Sequence, residues 1–238
     1  MSTKRRQART PGGNRLLAAL PMPDLRRLLG HCEAVELAFS DVLYLPGQRL
    51  RRVYFPIRSF ISLIMPVDDV ASLEVGLAGD EGMFGVPLVL GIDVSTVRAV
   101  VQGAGSALTM DASSFRRELG LNPALHRRLD RYAFVQLSQL AQAAACTRFH
   151  VVEARLARWL LMTHDRAHVD TFYITQSFLA LMLGVRRVGV TEAARSLKRQ
   201  GLIDYRRGTI AILDRRGLET ASCGCYQADR NIYERFLR

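Results

Sequence analysis

The chain has 238 residues, 49% of them hydrophobic, and a formal net charge of +11. That length and apolar content exclude a disordered polypeptide and accommodate two domains with cores of their own, while charges and prolines interrupt every apolar run before the ~18 residues a membrane span needs. The charge excess sits at the ends: residues 1–20 carry five Lys/Arg and no acid, residues 21–145 carry twelve bases against thirteen acids, and residues 146–238 carry sixteen against nine.

Residues 1–19 read as a flexible basic arm. This N-terminus lacks the apolar core and small-residue cleavage site of a secretory signal, so the expected location is the cytoplasm. There, Cys32, Cys146, Cys223 and Cys225 are expected as thiols rather than disulfides. Pro21, Met22 and Pro23 open a short helix through Leu29, with Asp24 as its expected N-cap. From about Val35 to Met110 the pattern turns to short β-like runs at 42–45, 53–55, 60–65, 72–77, 97–102 and 107–110. They are broken by Pro46-Gly47, Pro66, Gly79-Asp80 and Gly103-Ala104-Gly105, a spacing that predicts a barrel, jelly roll or sandwich.

After Asp111 the chain reads as helical. A short helix over 113–119 ends at Gly120, and Pro123 opens a long one to about Ala145. Leu125, Leu129, Ala133, Leu137, Leu140 and Ala144, spaced by three and four, form one apolar stripe along it. Such a stripe suits a helix that joins two domains, pairs with its twin in a dimer, or packs within its own chain. A further helix spans about 151–163, with Leu156, Trp159 and Leu160 facing inward.

The basic C-terminal block suits a polyanion, because neutralising phosphates releases condensed counterions. Thr175 caps a short helix over 176–183, which Gly184 breaks as a tight turn between crossed helices requires. A second helix runs from about Arg186 to Gln200. At 100° per residue, Val190, Ala193, Ala194 and Leu197 fall on one arc, suited to pack on Phe178, Leu179 and Met182. Arg187, Val188, Thr191, Glu192, Arg195, Lys198 and Arg199 fall on the other. Two strands over 202–205 and 209–213, joined by Arg206-Arg207-Gly208, complete a winged helix-turn-helix. In that motif the second helix enters the major groove and the wing arginines sit near phosphate. The expected DNA-binding set is therefore Thr175, Gln176, Arg186, Arg187, Val188, Thr191, Glu192, Arg195, Lys198, Arg206 and Arg207.

Residues 174–210, with support from 153–161 and 55–63, resemble the bacterial Crp/Fnr transcriptional regulators, and the resemblance extends over about residues 20–238. It implies an α+β chain: a cyclic-nucleotide-binding-type, jelly-roll-like β-roll over 20–119 as effector domain, a long dimerisation helix over 120–145, and a winged helix-turn-helix over 146–238. It further implies a homodimer on a palindromic promoter operator, with double-stranded DNA and RNA polymerase as partners and no membrane. Arg187 takes the place of the family's early recognition-helix arginine. Val188 replaces the glutamate that often follows, and Glu192 stands where a later arginine is common, so the family's base preferences do not transfer.

Family members that bind cyclic AMP hold it with a Gly-Glu pair and an Arg-Ser or Arg-Thr pair. Here the matching positions offer Glu81, Gly82 and Arg98, but the glutamate is shifted within Gly79-Asp80-Glu81-Gly82 and Ala99 follows Arg98. No strong response to cyclic AMP is expected, and the effector stays unidentified. With only Cys32 near the N-terminus, an iron–sulfur cluster of the family's oxygen sensors is not expected. Cys146 with His150 one turn on, and Cys223-Gly224-Cys225, would suit zinc or iron if the fold joined them; the expectation is no metal and no cofactor. No catalytic motif is recognisable, so an enzyme is not expected. A ligand sensor acting through protein partners is the alternative.

Overall fold

The structure is a computed structural model that describes residues 13–67 and 71–238. Residues 1–12 of the expected arm lie outside it, and the rest of the arm is anchored. Arg15–Ala18 form α1, and Leu16 and Leu17 are fully buried. The side chain of Asn14 accepts from the Leu17 amide at 3.2 Å and donates to the carbonyls of Pro56 and Gly82. Two adjacent leucines gain too much from burial to stay in a solvated tail. In α2 (Met22–Leu29) the N-cap is Pro21, and Asp24 lies within the first turn.

Two antiparallel sheets form the β-roll. One has the order β1 (Glu33–Leu37), β7 (Gly105–Asp111), β3 (Arg52–Pro56); the other runs β2 (Val42–Tyr44), β6 (Arg98–Gly103), β4 (Phe60–Val67), β5 (Ala71–Ala78). A short helix α3 (Val86–Val89) lies between β5 and β6. In β3 the pleat sends Val53 and Phe55 inward, where they meet Ile61, Val101, Ala107 and Met110 together with Leu16, Leu25 and Leu28. Strand β1 was not expected from sequence. It is an edge strand rich in glutamate, and charged edges of that kind discourage further pairing.

Helix α4 (Ala112–Leu121) continues past Gly120, whose missing side chain faces open space. The side chain of Asn122 caps α5 (Pro123–Phe149) by accepting from the Leu125 amide at 2.9 Å, and α5 runs four residues beyond the expected end. Its stripe divides in two. Leu125 and Leu129 are buried in the β-roll core, whereas Leu137 and Leu140 are 65% and 41% exposed.

After α6 (Val152–Ala167) come β8 (Thr171–Tyr173), α7 (Gln176–Leu183), α8 (Arg187–Arg199), β9 (Ile203–Arg206) and β10 (Thr209–Ile212). The wing is a three-stranded sheet, order β8-β10-β9. Leu156, Leu160, Leu179, Met182, Val190, Leu197, Ile203 and Ile210 form its core with the helices. Helix α9 (Arg215–Ala221) closes this unit.

The last helix, α10 (Cys225–Leu237), turns back along α5. Leu237 is buried in the β-roll core, Phe236 meets Phe134 edge-on at 4.9 Å, and Arg128 donates to the Leu237 carbonyl at 2.7 Å.

Candidate nucleic-acid interface

The two helices of the motif are set by local chemistry. The hydroxyl of Thr175 accepts from the Phe178 amide at 3.2 Å, as an N-cap does. Gly184 is left-handed at φ 60°, and α8 starts three residues later. All four residues expected on the inner arc of α8, Val190, Ala193, Ala194 and Leu197, are buried. At roughly 1.5–3 kcal/mol for each buried valine or leucine, this stripe fixes the rotation of α8. The opposite arc is thereby presented: Arg187, Val188, Glu192, Arg195, Lys198 and Arg199 are exposed and Thr191 is half-buried, with Arg186 exposed at the N-cap.

Thr191 is the hinge of the polar face. Its hydroxyl lies 3.0 Å from the side-chain oxygen of Gln176 and 3.0 Å from the carbonyl of Arg187, and so ties the start of α7 to the first turn of α8. Gln176, expected from sequence to touch DNA, therefore also positions α8.

The wing tip is a two-residue turn. Arg206 pairs with Thr209, and the central residues Arg207 and Gly208 have φ of 48° and 83°. Positive φ at both is the type I′ geometry that matches strand twist. Arg207 adopts it without being glycine, a conformation that costs about 1–3 kcal/mol, and its side chain is exposed.

Charge on this surface is not uniform. The Lys198 ammonium lies 2.6 Å from Asp204, and the Arg206 guanidinium lies 3.1 Å from the same carboxylate. The Lys198 hydrogen bond holds the Asp204 carboxyl below the usual carboxylate range, with Arg206 adding to it. The Lys198–Asp204 pair thus ties the base of the wing to α8, while Arg206 shares a strand with Asp204. Arg187, Arg207, Thr175 and Gln176 line one groove with Tyr173, Ser177, Tyr205 and Gly208. Tyr173, Ser177 and Tyr205 were not singled out from sequence. The tyrosines next to wing arginines were the available signal, since amphipathic rings favour half-wet surfaces.

The residues matched to an effector site are not assembled as one. The Glu81 carboxylate pairs with Arg166 at 2.6 Å and lies 3.9 Å from Arg15. Gly82 abuts Tyr132, where an added Cβ would lie 2.0 Å from the phenol oxygen. Arg98 opens β6 opposite Ile64 and is exposed, several register positions from the Glu81 turn. Elsewhere, Cys146, His150, Cys223 and Cys225 do converge, at the junction of α5 and α10.

Residues 154–221 match the family described as the Crp-like helix-turn-helix domain. No curated protein matches the chain in sequence. Among solved structures, it is similar to the c-di-GMP-responsive global regulator CLP of Xanthomonas campestris, at a TM-score of 0.66 and 18% identity over 81% of this chain and 99% of that one. FixK2 of Bradyrhizobium japonicum gives a TM-score of 0.68 at 15% identity over 81% and 98%. A CRP-family regulator of Thermus thermophilus gives 0.66 at 19% over 79% and 96%. The chain has the fold of the Crp/Fnr transcriptional regulators, with a Crp-like helix-turn-helix domain. Among the described residues, no helix is long and apolar enough to cross a membrane.

Proposed function

We propose that this chain is a homodimeric transcriptional regulator that reads an inverted-repeat operator with α8 and grips the flanking backbone with its wing. The observation that carries this reading is the groove in which Arg187, at the start of α8, and Arg207, at the wing tip, flank Thr175 and Gln176. A helix face bearing Arg187, Thr191 and Arg195 fits the floor of a major groove, and a cationic turn beside it fits the phosphates at its edge.

A second copy of the chain supplies the other half of the site. Phe134, Leu137, Ala141 and Ala144 are exposed and recur at steps of three, four and three along α5, with Leu140 beside them. That spacing suits pairing of two such helices, and two-fold symmetry of the protein demands two-fold symmetry of the DNA. The β-roll acts here as a scaffold: Glu81 is already held by Arg166, and Tyr132 fills the space beside Gly82. A strong response to cyclic AMP is not expected from it. Promoter DNA is the partner, with RNA polymerase a further one under either direction of regulation.

The test is selection from random duplexes, then footprinting. The expected result is an enriched inverted repeat with half-sites about one helical turn apart, centre to centre. Enrichment of a single unrepeated site, or of none, would overturn the reading.

A further inference from the structure

Four side chains from two segments distant in sequence meet where α5 ends and α10 begins. Cys146 lies in the last turn of α5, and His150 is the residue that caps it, in extended conformation. Cys223 sits between α9 and α10, and Cys225 is the first residue of α10. One donor atom from each lies within 4.8 Å of every other. Cys146 Sγ is 3.5 Å from Cys223 Sγ, and Cys225 Sγ is 3.5 Å from His150 Nδ1.

Those spacings fit one small ion. A tetrahedral zinc with Zn–S of about 2.3 Å and Zn–N of about 2.0 Å places its sulfurs about 3.8 Å apart and sulfur from nitrogen about 3.5 Å apart. A multi-iron cluster would hold its thiolates further apart. The sulfurs are also too distant for a disulfide, whose bond is about 2.05 Å long, and all four cysteines are free thiols.

The surroundings suit the complex that would form. The three cysteines are buried and pack with Ala154 as a small cluster apart from both larger cores. The Gln142 side-chain amide donates to Cys225 Sγ at 3.0 Å, the kind of outer hydrogen bond that orients a ligand and tempers its charge. Zinc with three thiolates and a neutral imidazole carries a net charge of minus one. Arg155 and Arg158 line the same cavity as Cys146, and because Arg158 is paired with Asp229 at 2.6 Å, Arg155 supplies the positive charge that balances it.

We propose that Cys146, His150, Cys223 and Cys225 bind one structural zinc ion per chain, clasping the end of α5 to the α9–α10 joint. Sequence reading did not expect a metal here, because 77 residues separate Cys146 from Cys223 and only the return of α10 along α5 joins them. Binding replaces the proton of each thiol by a bond to zinc, so up to three protons leave as one ion enters. The ion joins the helix that carries the exposed apolar stripe to the segment that closes the winged unit. It thereby fixes the joint between them, and that consequence rests on the proposed function.

The test uses the full chain, expressed with zinc and purified with reductant and without chelator. Elemental analysis is expected to find about one zinc per chain. Chelator-stripped protein reconstituted with one equivalent of cobalt(II) is expected to show the strong visible absorption of a tetrahedral thiolate site. Cys146→Ser, Cys223→Ser, Cys225→Ser and His150→Ala should each lose most of the bound zinc, while Cys32→Ser keeps it. Stripping should also lower the melting temperature. Wild-type protein that takes up neither zinc nor cobalt when fully reduced would overturn the proposal, even if every variant precipitated. A Cys146–Cys223 disulfide recovered from protein handled without oxygen would do the same, and stoichiometric iron would overturn the choice of metal. None of these readouts involves DNA, so they stand or fall separately from operator binding.

Discussion

The guanidinium of Arg166 and the carboxylate of Glu81 lie 2.6 Å apart, each side chain only 9% exposed. Arg166 is in the last turn of α6 and Glu81 follows β5, so the pair crosses from the winged unit to the β-roll. Beside it, Asp80 pairs with Arg15 at 2.9 Å and with His168 at 3.5 Å. Burial pushes the Asp80 carboxyl up, but His168 and Arg15 outweigh it and hold it below its ordinary value. The position of the winged unit is therefore set by ion pairs as well as by packing.

Breaking the central pair from one side should cost more than removing it. Arg166→Met or Glu81→Leu alone strands a buried charge, at about 3–5 kcal/mol, whereas the double replacement should recover much of that loss. Urea midpoints for the four proteins of this cycle decide it. Strictly additive losses would show that the two groups are not coupled.

The two halves of the α5 stripe should respond differently. Leu129 is fully buried within its own chain, so Leu129→Ala should lower stability by about 2–5 kcal/mol and leave the assembly intact. Leu137 is 65% exposed, so Leu137→Glu should barely change monomer stability while reducing the mass from twice 26.6 kDa to once. Light scattering beside thermal melts reads both, and a monomeric wild type would refute the pairing.

Reading and gripping should separate on α8 and the wing. Arg187→Ala should relax preference at one base position in each half-site, by about 1–3 kcal/mol of discrimination. Arg207→Ala should weaken binding to all sequences alike and reduce the salt slope by about one unit. Val188 has no hydrogen-bonding group, and Val188→Ala should act weakly. Lys198 is already paired with Asp204, so Lys198→Ala should loosen the wing and leave base preference unchanged. Titrations of operator and scrambled duplex at several salt concentrations check all four. Identical profiles for the Arg187 and Arg207 variants would remove α8 as the reading helix.

Glu74 should make stability fall as pH rises. Burial pushes its carboxyl up to about 7 even though Ser62 and Trp159 donate to it at 2.6 and 2.8 Å and Arg166 and Arg158 attract its charge. Its unfolded value is about 4.3, so the folded state holds the proton more tightly. The stability associated with that proton is complete below about 4.3 and is lost as pH climbs through about 7. Glu74→Gln keeps an acceptor for Trp159 and adds a donor for Ser62 without titrating. The variant should gain on wild type in melting temperature between pH 5 and about 7 and level off towards pH 8. A constant difference across that range would show that Glu74 does not titrate there.

The winged helix-turn-helix was legible because it is written locally. Thr175, Gly184, the inner arc of α8 and the Arg207-Gly208 turn each act within a few residues through capping, backbone freedom or helical period. Both ends of α7 and the buried arc of α8 consequently fall where the sequence placed them. The β-roll was legible as a class, by its short strands and turn residues, though the charged edge strand β1 carried too little apolar pattern to be seen and α3, a single apolar turn, is too short to show a helical period.

What only the tertiary structure decided depends on contacts between distant residues. Pattern alone made the α5 stripe continuous from Leu125 to Ala144; the β-roll then covered its first half and left the second bare. Sequence matched Glu81, out of register, to the family's effector glutamate, and only the packing of α6 brings Arg166 from another unit to its carboxylate. The four donors at Cys146, His150, Cys223 and Cys225 were visible as residues but not as a site, since their meeting depends on α10 reversing along α5. Hydrophobic period and capping are properties of neighbouring residues and survive in the sequence. Which faces become covered, and which distant side chains meet, is set by the packing of whole elements, a free-energy balance to which every segment contributes.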